Sequence, residues 1–396
     1  LSISNFATWD RVADWWLELS RDQFLLGDEG ERQARELAAD AADEREIVRR
    51  IYAQVAHGTH YVGLEFGIHG WKPYEAREVL ERGSGDCKDK ATLLVAMLAA
   101  VDIPAEIVIL QTVANGRTVE HPPSLRLFNH AIAYVPSLDL YLDGTTEFAP
   151  IEALRWDDQG ALALRIALDG PATLVTIPVS SPEDNVTTSD TRLLLDRAGD
   201  ALFSEHWTER GNGVAEIRGF VPDESTRRQD LEDNYQARLT GVRLTDVRVE
   251  GFEDQGNELV LEVDGEVPAL ASAEGDRLRV PVTLFAEGLG KVMAPEGSRR
   301  TDVFVRVPRT VSQSTTIVPP AGMTVVEIPE PVELDTTHAS YRQQVTREAG
   351  AAVVRTELVY RSRRVPVADY PAFREFCLAV DRAQGLSVVL APEDTP

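Results

Sequence analysis

Two cysteines occur in 396 residues, and Cys87 stands where a thiol can react. It lies in GSGDCKDKATLL, residues 83–94, with Asp86 and Lys88 on either side and Asp89 and Lys90 beyond. A structural cysteine behaves as a small hydrophobe and sits among apolar side chains; this one opens an apolar run from a charged threshold. Asp86 has the residue type of a helix N-cap, and Asp89, three positions on, has that of the acid in a capping box. The spacing therefore predicts a helix whose first turn holds Cys87. There the unpaired N–H groups and the positive end of the macrodipole favour a thiolate, with Lys88 adding a cation. Asp86 and Asp89 oppose that effect by like charge, so a base is required to settle it.

The base the sequence offers is His130, in FNHAIAYVPSLDLYLDGT. If PSLD forms the hairpin loop, Val135 faces Leu140 and Asp143 falls opposite Ile132. His130 and Asp143 are then diagonal neighbours on one face, because side chains two apart on a strand share a face. A slip of one residue would separate them. Cysteine, imidazole and carboxylate in that relation can carry out acyl transfer: nucleophile, general base, and an acid that fixes the base's tautomer. A histidine and an aspartate on adjacent strands is also a common structural pair.

These residues need elements to hold them. Trp9, Val12, Ala13, Trp16 and Leu19 recur at helical spacing, as do Ile47, Val48, Ile51, Tyr52 and Val55. A third helix is predicted from Cys87 to Val101, stopped by Asp102-Ile103-Pro104. Strands follow at 105–110, 128–135 and 140–143. Helices and then an antiparallel sheet read as α+β. The connection 111–127 carries Asn115-Gly116 and Pro122-Pro123 and runs into the strand of His130. We expect residues 113–125 to border a groove opposite Trp71, the alternative being a solvated arm. From 191 onward short alternating strands predominate, consistent with a sandwich or two small β units. A helix near 370–383 closes this region, its stripe of Phe373, Phe376, Cys377 and Val380 making the second cysteine a core filler.

Composition narrows the partners. A formal charge of -25 and a pI near 4.7 oppose binding to a nucleic-acid backbone. No run reaches the length of apolar residues that a membrane helix needs. His57, His60 and His69 repeat no zinc spacing, and Gly63, Gly67 and Gly70 do not follow a strand as a dinucleotide loop does, so neither metal nor cofactor is expected. His206 and His338 read as isolated surface residues.

GDCKDKATLLVAML, FNHAIAYV and LYLDGTTE together resemble the bacterial branch of the transglutaminase-like superfamily, thiol enzymes of papain-like fold. The lead-in YVGLEFGIHGWKPYEAREVLERGSGDCKDK and the C-terminal YPAFREFCLAVDRAQGLSVVL are similar to those of members with an additional N-terminal β domain and a C-terminal β domain. The resemblance implies Cys87 as nucleophile, His130 as general base, Asp143 as orienting acid and Trp71 as an upstream oxyanion donor. It implies a linker helix over 1–30 following an upstream domain, a core over 31–175, a linker over 176–190 and a β-rich region over 191–396. Lys72 and Ser84 depart from the family pattern, in which Gln and an aromatic residue are usual. The expected activity is acyl transfer on a peptide or carboxamide substrate, with hydrolysis preferred because water needs no acceptor site. The alternative is a non-catalytic scaffold that keeps the fold. The family's usual architecture also suggests an exported, extracytoplasmic protein.

Overall fold

A computed structural model describes residues 4–63, 66–116, 122–252 and 256–393, which divide into two units, Leu1–Val179 and Ser180–Pro396. The first opens with helices. α1 (Trp9–Ser20) begins where the Thr8 side chain accepts a hydrogen bond from the Arg11 N–H, and it buries Val12, Ala13 and Trp16 in the core of this unit. α1, which lies within the segment 1–30 expected as a linker helix, thus contributes packing to the core of this unit. α2 (Gly27–Ala38) follows. α3 (Glu44–Gly58) is capped by Asp43 and turns Val48, Ile51, Tyr52 and Val55 inward.

β1 (His60–Tyr61) pairs in parallel with β2 (Ser84–Gly85), with α4 (Ala76–Arg82) between them in sequence. Gly83 ends α4 at φ 61, a left-handed conformation that glycine adopts without a Cβ penalty, and so turns the chain into β2. α5 (Cys87–Ala99) comes next and is buried at every position from Cys87 to Leu98. It is the helix around which the others assemble, which explains why Leu93 to Leu98 are apolar at every position. It ends two residues before the expected Val101, and Asp102 at φ 61 carries the chain away.

The larger, five-stranded sheet of this unit is antiparallel throughout. It comprises β3 (Glu106–Gln111), β4 (His130–Val135), β5 (Leu140–Leu142), β6 (Leu162–Ile166) and β7 (Thr173–Thr176), in the spatial order β5-β4-β3-β6-β7. The last two strands extend the three read from sequence. Ile107, Ile109, Ala131, Ala133 and Leu164 face the helices, whereas Val108, Leu110, Ile132 and Ala163 form a smaller cluster on the other side.

The second unit is built on an eight-stranded sheet, ordered 243–250, 258–267, 201–210, 186–195, 309–318, 351–360, 339–348 and 332–335. Only the pair 186–195 with 309–318 is parallel among these described strands. A four-stranded sheet of 272–274, 277–281, 387–392 and 323–327 shares one apolar cluster with it, in which Leu193, Phe203 and Leu261 join Val280, Val325 and Leu390. Two features differ from the sequence expectation. Val186 already pairs with Arg210 and Thr310, so 186–190 are strand rather than linker. Residues Asn212–Phe220 and Glu224–Arg238 are helices inside a region read as strands.

Candidate active site

The start of α5 is over-determined. Asp86 caps it by accepting from the Asp89 N–H at 3.3 Å, and the Asp89 carboxylate accepts from the Asp86 N–H at 3.1 Å, closing the capping box. Asp89 also accepts from the Tyr74 N–H at 2.8 Å and pairs with Arg82 at 3.1 Å, which ties α4 and its lead-in to the same turn. Lys88 bonds Asp86. The acids that sequence reasoning set against a thiolate are therefore spent on backbone donors and cations. Burial, and then Asp86, raise the proton affinity of Asp89. Lys90 points the other way into the unit, donating to the carbonyls of Ala56 and Thr59 at 3.2 and 2.6 Å. Burial lowers its pKa to about 8.

The hairpin of β4 and β5 delivers the imidazole. Val135 pairs with Leu140, Tyr134 with Tyr141 and Ala133 with Leu142, and the residue that follows this strand is Asp143. Its Oδ2 lies 3.2 Å from His130 Nε2, while its Oδ1 accepts from the N–H and hydroxyl of Thr145 at 2.9 and 2.7 Å. Cys87 lines the same groove as this imidazole and helps to raise its proton affinity. Burial alone would lower the proton affinity of His130. The charge of Asp143 and its hydrogen bond outweigh it, with help from Cys87 and Asp158, and hold the ring well above the ordinary histidine range. Burial likewise works against the Asp143 charge. His130, by charge and by hydrogen bond, then Arg155 and Thr145, reverse that and hold the carboxyl well below the usual carboxylate range.

Cys87 and His130 lie at a groove of about 400 Å³ walled by Trp16, Trp71, Leu125 and Phe128. Trp71, singled out for its indole, lines this groove, and its carbonyl is held by the Trp16 indole N–H at 3.2 Å. Its own indole N–H makes no hydrogen bond among the described residues. Leu125 and Phe128 bring the end of the 111–127 connection to the same groove; residues 117–121 of that connection lie outside the described residues. His69 stacks on Tyr74 at 4.0 Å, and His57 meets the edge of Phe148.

Sequence reasoning missed Asp158 and Arg155. Both come from a turn, RWDDQG, that reads as a polar loop. The structure folds it against the back of His130: Asp158 Oδ1 lies 3.9 Å from Nε2, and Arg155 Nε lies 3.7 Å from Asp143 Oδ2. The doubled acid before Gln-Gly was the available signal. His338, expected to stand alone, instead bonds Ser362 at 3.0 Å and Asp369 at 2.9 Å. His206 is exposed, 3.6 Å from Glu262.

Residues 31–136 match the family described as the transglutaminase-like superfamily, and residues 276–390 match a domain of unknown function with solved structure, DUF3858. Cys87 and His130 fall within the first match; Asp143 lies past its end. A solved protein from Parabacteroides distasonis, described as a "putative protease", is similar over 98% of this chain at 13% identity with a TM-score of 0.59. The alignment covers 59% of that protein, so this chain spans about three fifths of its length, and the likeness is one of fold. A "putative cysteine protease" from Cytophaga hutchinsonii aligns over 42% of this chain and 51% of its own, at 19% identity and a TM-score of 0.26, too low to bear on the fold. No curated protein matches the chain.

Proposed function

We propose that this chain, which carries a transglutaminase-like superfamily domain and a C-terminal DUF3858 domain, is a papain-like thiol enzyme that cleaves peptide or carboxamide bonds. One observation carries the reading: a buried imidazole hydrogen-bonded to Asp143 shares a groove with Cys87, the first residue of a helix. The Cys87 sulfur attacks the carbonyl carbon, and the thiol proton passes to His130, whose raised proton affinity favours that transfer. Negative charge then develops on the former carbonyl oxygen. The Cys87 N–H, unpaired as the first donor of α5, and the Trp71 indole N–H are the donors available to it. Collapse breaks the carbon–nitrogen bond, and the leaving amine takes the proton from His130. The resulting thioester is attacked by water, which gives its proton to His130, and the thiol is restored as the acid leaves.

Water is the preferred acceptor because attack by it requires no second binding site. Incubating the protein with a peptide mixture and a labelled primary amine tests both arms. New peptide amino termini that vanish in Cys87→Ala support hydrolysis. Amine incorporation that vanishes in the same variant moves the activity to transglutamination. Turnover that ignores Cys87, or none with a Cys87 that resists alkylation, turns the reading toward a non-catalytic scaffold.

A further inference from the structure

The chemistry above makes no use of Asp158, a second carboxyl at the same imidazole. It is fully buried, and neither of its side-chain oxygens has a hydrogen-bond partner among the described residues. Its Oδ1 is 3.9 Å from His130 Nε2, the nitrogen that Asp143 approaches at 3.2 Å, and 4.0 Å from Arg155 Nη2. A buried ionised carboxylate is stable only when paired and hydrogen-bonded. Asp143 meets that requirement through His130 and both donors of Thr145. Asp158 does not. Two carboxyl groups that both approach one imidazole nitrogen resist carrying two charges together, and the charge settles on the better hydrogen-bonded one, Asp143. Burial, and then the charge of Asp143, push the proton affinity of Asp158 well up.

We propose that Asp158 is a positioning residue that works as a neutral carboxylic acid: it fills the space behind His130 Nε2, so that the ring keeps its place against the Asp143 carboxylate, without adding a second negative charge. This rests on the Cys87–His130–Asp143 reading of the site. The neutrality matters for turnover. A second carboxylate there would bind the proton on the ring more tightly and make His130 a poorer acid toward the leaving amine. The groups facing Asp158 are His130 from β4, Asp143 from the end of β5, Tyr52 from α3, and Arg155 and Asp157 from its own turn; Lys90 of α5 acts on Asp143. A divalent cation is the competing occupant, since His130, Asp143 and Asp158 each offer one ligand atom within 4.8 Å of the others. The Arg155 guanidinium, 3.7 Å from Asp143 Oδ2, already supplies positive charge and repels a metal.

The rate of Cys87 alkylation by iodoacetamide, mapped by mass spectrometry on the full chain from pH 5 to 9, tests this without a known substrate. Asp158→Asn preserves a neutral polar group of the same shape, so its rate should stay within about threefold of the parent at every pH. Asp158→Ala should slow labelling about tenfold near pH 6.5, and Asp143→Asn at least as much, because each frees the ring. An Asp158→Asn variant as slow as Asp143→Asn would overturn the proposal, since Asp158 would then act ionised. So would an Asp158→Ala variant indistinguishable from the parent. Zn²⁺ alone slowing the labelling of the parent but not of Asp158→Asn would overturn it too, in favour of a cation site. If Asp158→Ala does not fold, the two asparagine variants decide. Failure of the underlying reading looks different: Cys87 would label at one rate in the parent and in His130→Ala.

Discussion

The two cysteines of this chain both sit on helices and are both largely shielded from solvent, yet their surroundings give them opposite chemistry. Cys87 is the first residue of α5, where backbone N–H groups lack intrahelical partners, and it shares a groove with the His130 imidazole. Cys377 lies in the middle of the helix Tyr370–Gln384, fully buried, with Phe373, Phe376 and Val380 in the same cluster. Burial, and then the charge of Asp381, push its thiol up to about 12. Mid-helix, a sulfur meets the side chains of neighbouring turns; at the first turn it meets unpaired donors. Position along a helix, with what the sheet presents opposite, decides which thiol can be a nucleophile.

Substitution of each cysteine is the most direct way to break this contrast. Cys87→Ala should reduce turnover by a factor on the order of 10⁴ or more while leaving thermal stability near that of the parent. Cys377→Ala should keep turnover within about twofold but cost about 1 kcal/mol through the space left beside Phe373 and Phe376. Activity assays and calorimetry on both variants check this. Equal labelling of the two thiols in the folded parent at pH 7 would remove the contrast.

The next largest effect belongs to the acid behind the imidazole. Asp143→Asn should reduce kcat by roughly 10² to 10⁴, the range seen when an orienting carboxylate is neutralised. It should also destabilise the first unit by on the order of 3 kcal/mol, because it leaves a buried imidazole without its counter-charge. The pH dependence has a defined sign. Asp143 is held below its ordinary range, so its contribution is present above the unfolded carboxylate pKa and is lost as pH falls through the folded value. Acid unfolding of the parent, followed by calorimetry from about pH 5 down to about pH 2, should therefore steepen relative to Asp143→Asn. Trp71→Phe is milder: it keeps the aromatic wall, removes the N–H, and should lower kcat about tenfold to a hundredfold with little change in KM. A rise in KM at constant kcat would make Trp71 a packing residue alone.

What could be read from the sequence was local, or was fixed by a short loop. The Asp86–Asp89 capping box spans four residues, so the start of α5 was legible from residue types. The four residues between Val135 and Leu140 fix the β4–β5 register, and the register carries Asp143 to the face of His130. Asp158 was not legible because its meaning comes from burial. RWDDQG has the composition of an exposed turn, and it is the neighbouring β6, with Ala161 and Ala163 in the small cluster behind the sheet, that draws it inward. His338 meets Ser362 and Asp369 only after the strands 339–348 and 351–360 pair, which no local pattern announces. The helices at 212–238 were hidden by sparsity: along Glu224–Arg238 only Leu231 and Tyr235 are buried.

The smallest expected effect concerns a buried acid of the second unit that has no imidazole to serve. Glu209 accepts a hydrogen bond from Thr187 at 2.7 Å, yet burial raises its pKa from 4.5 to about 7, against the pull of that bond and of Arg309. A carboxyl raised on folding contributes stability that is fully present below its unfolded pKa and is lost as pH rises through the folded value. The loss should therefore run from about pH 4.5 to 7 and be complete by pH 8. Glu209→Gln removes the titration while keeping a carbonyl that can accept from Thr187. It should leave thermal stability unchanged at pH 4 and raise it at pH 8 by on the order of 1–3 kcal/mol, since a tenfold difference in proton affinity between the folded and unfolded chain corresponds to about 1.4 kcal/mol. Calorimetry at the two pH values measures the difference. A gain of equal size at pH 4 and pH 8 would assign the effect to packing rather than to charge.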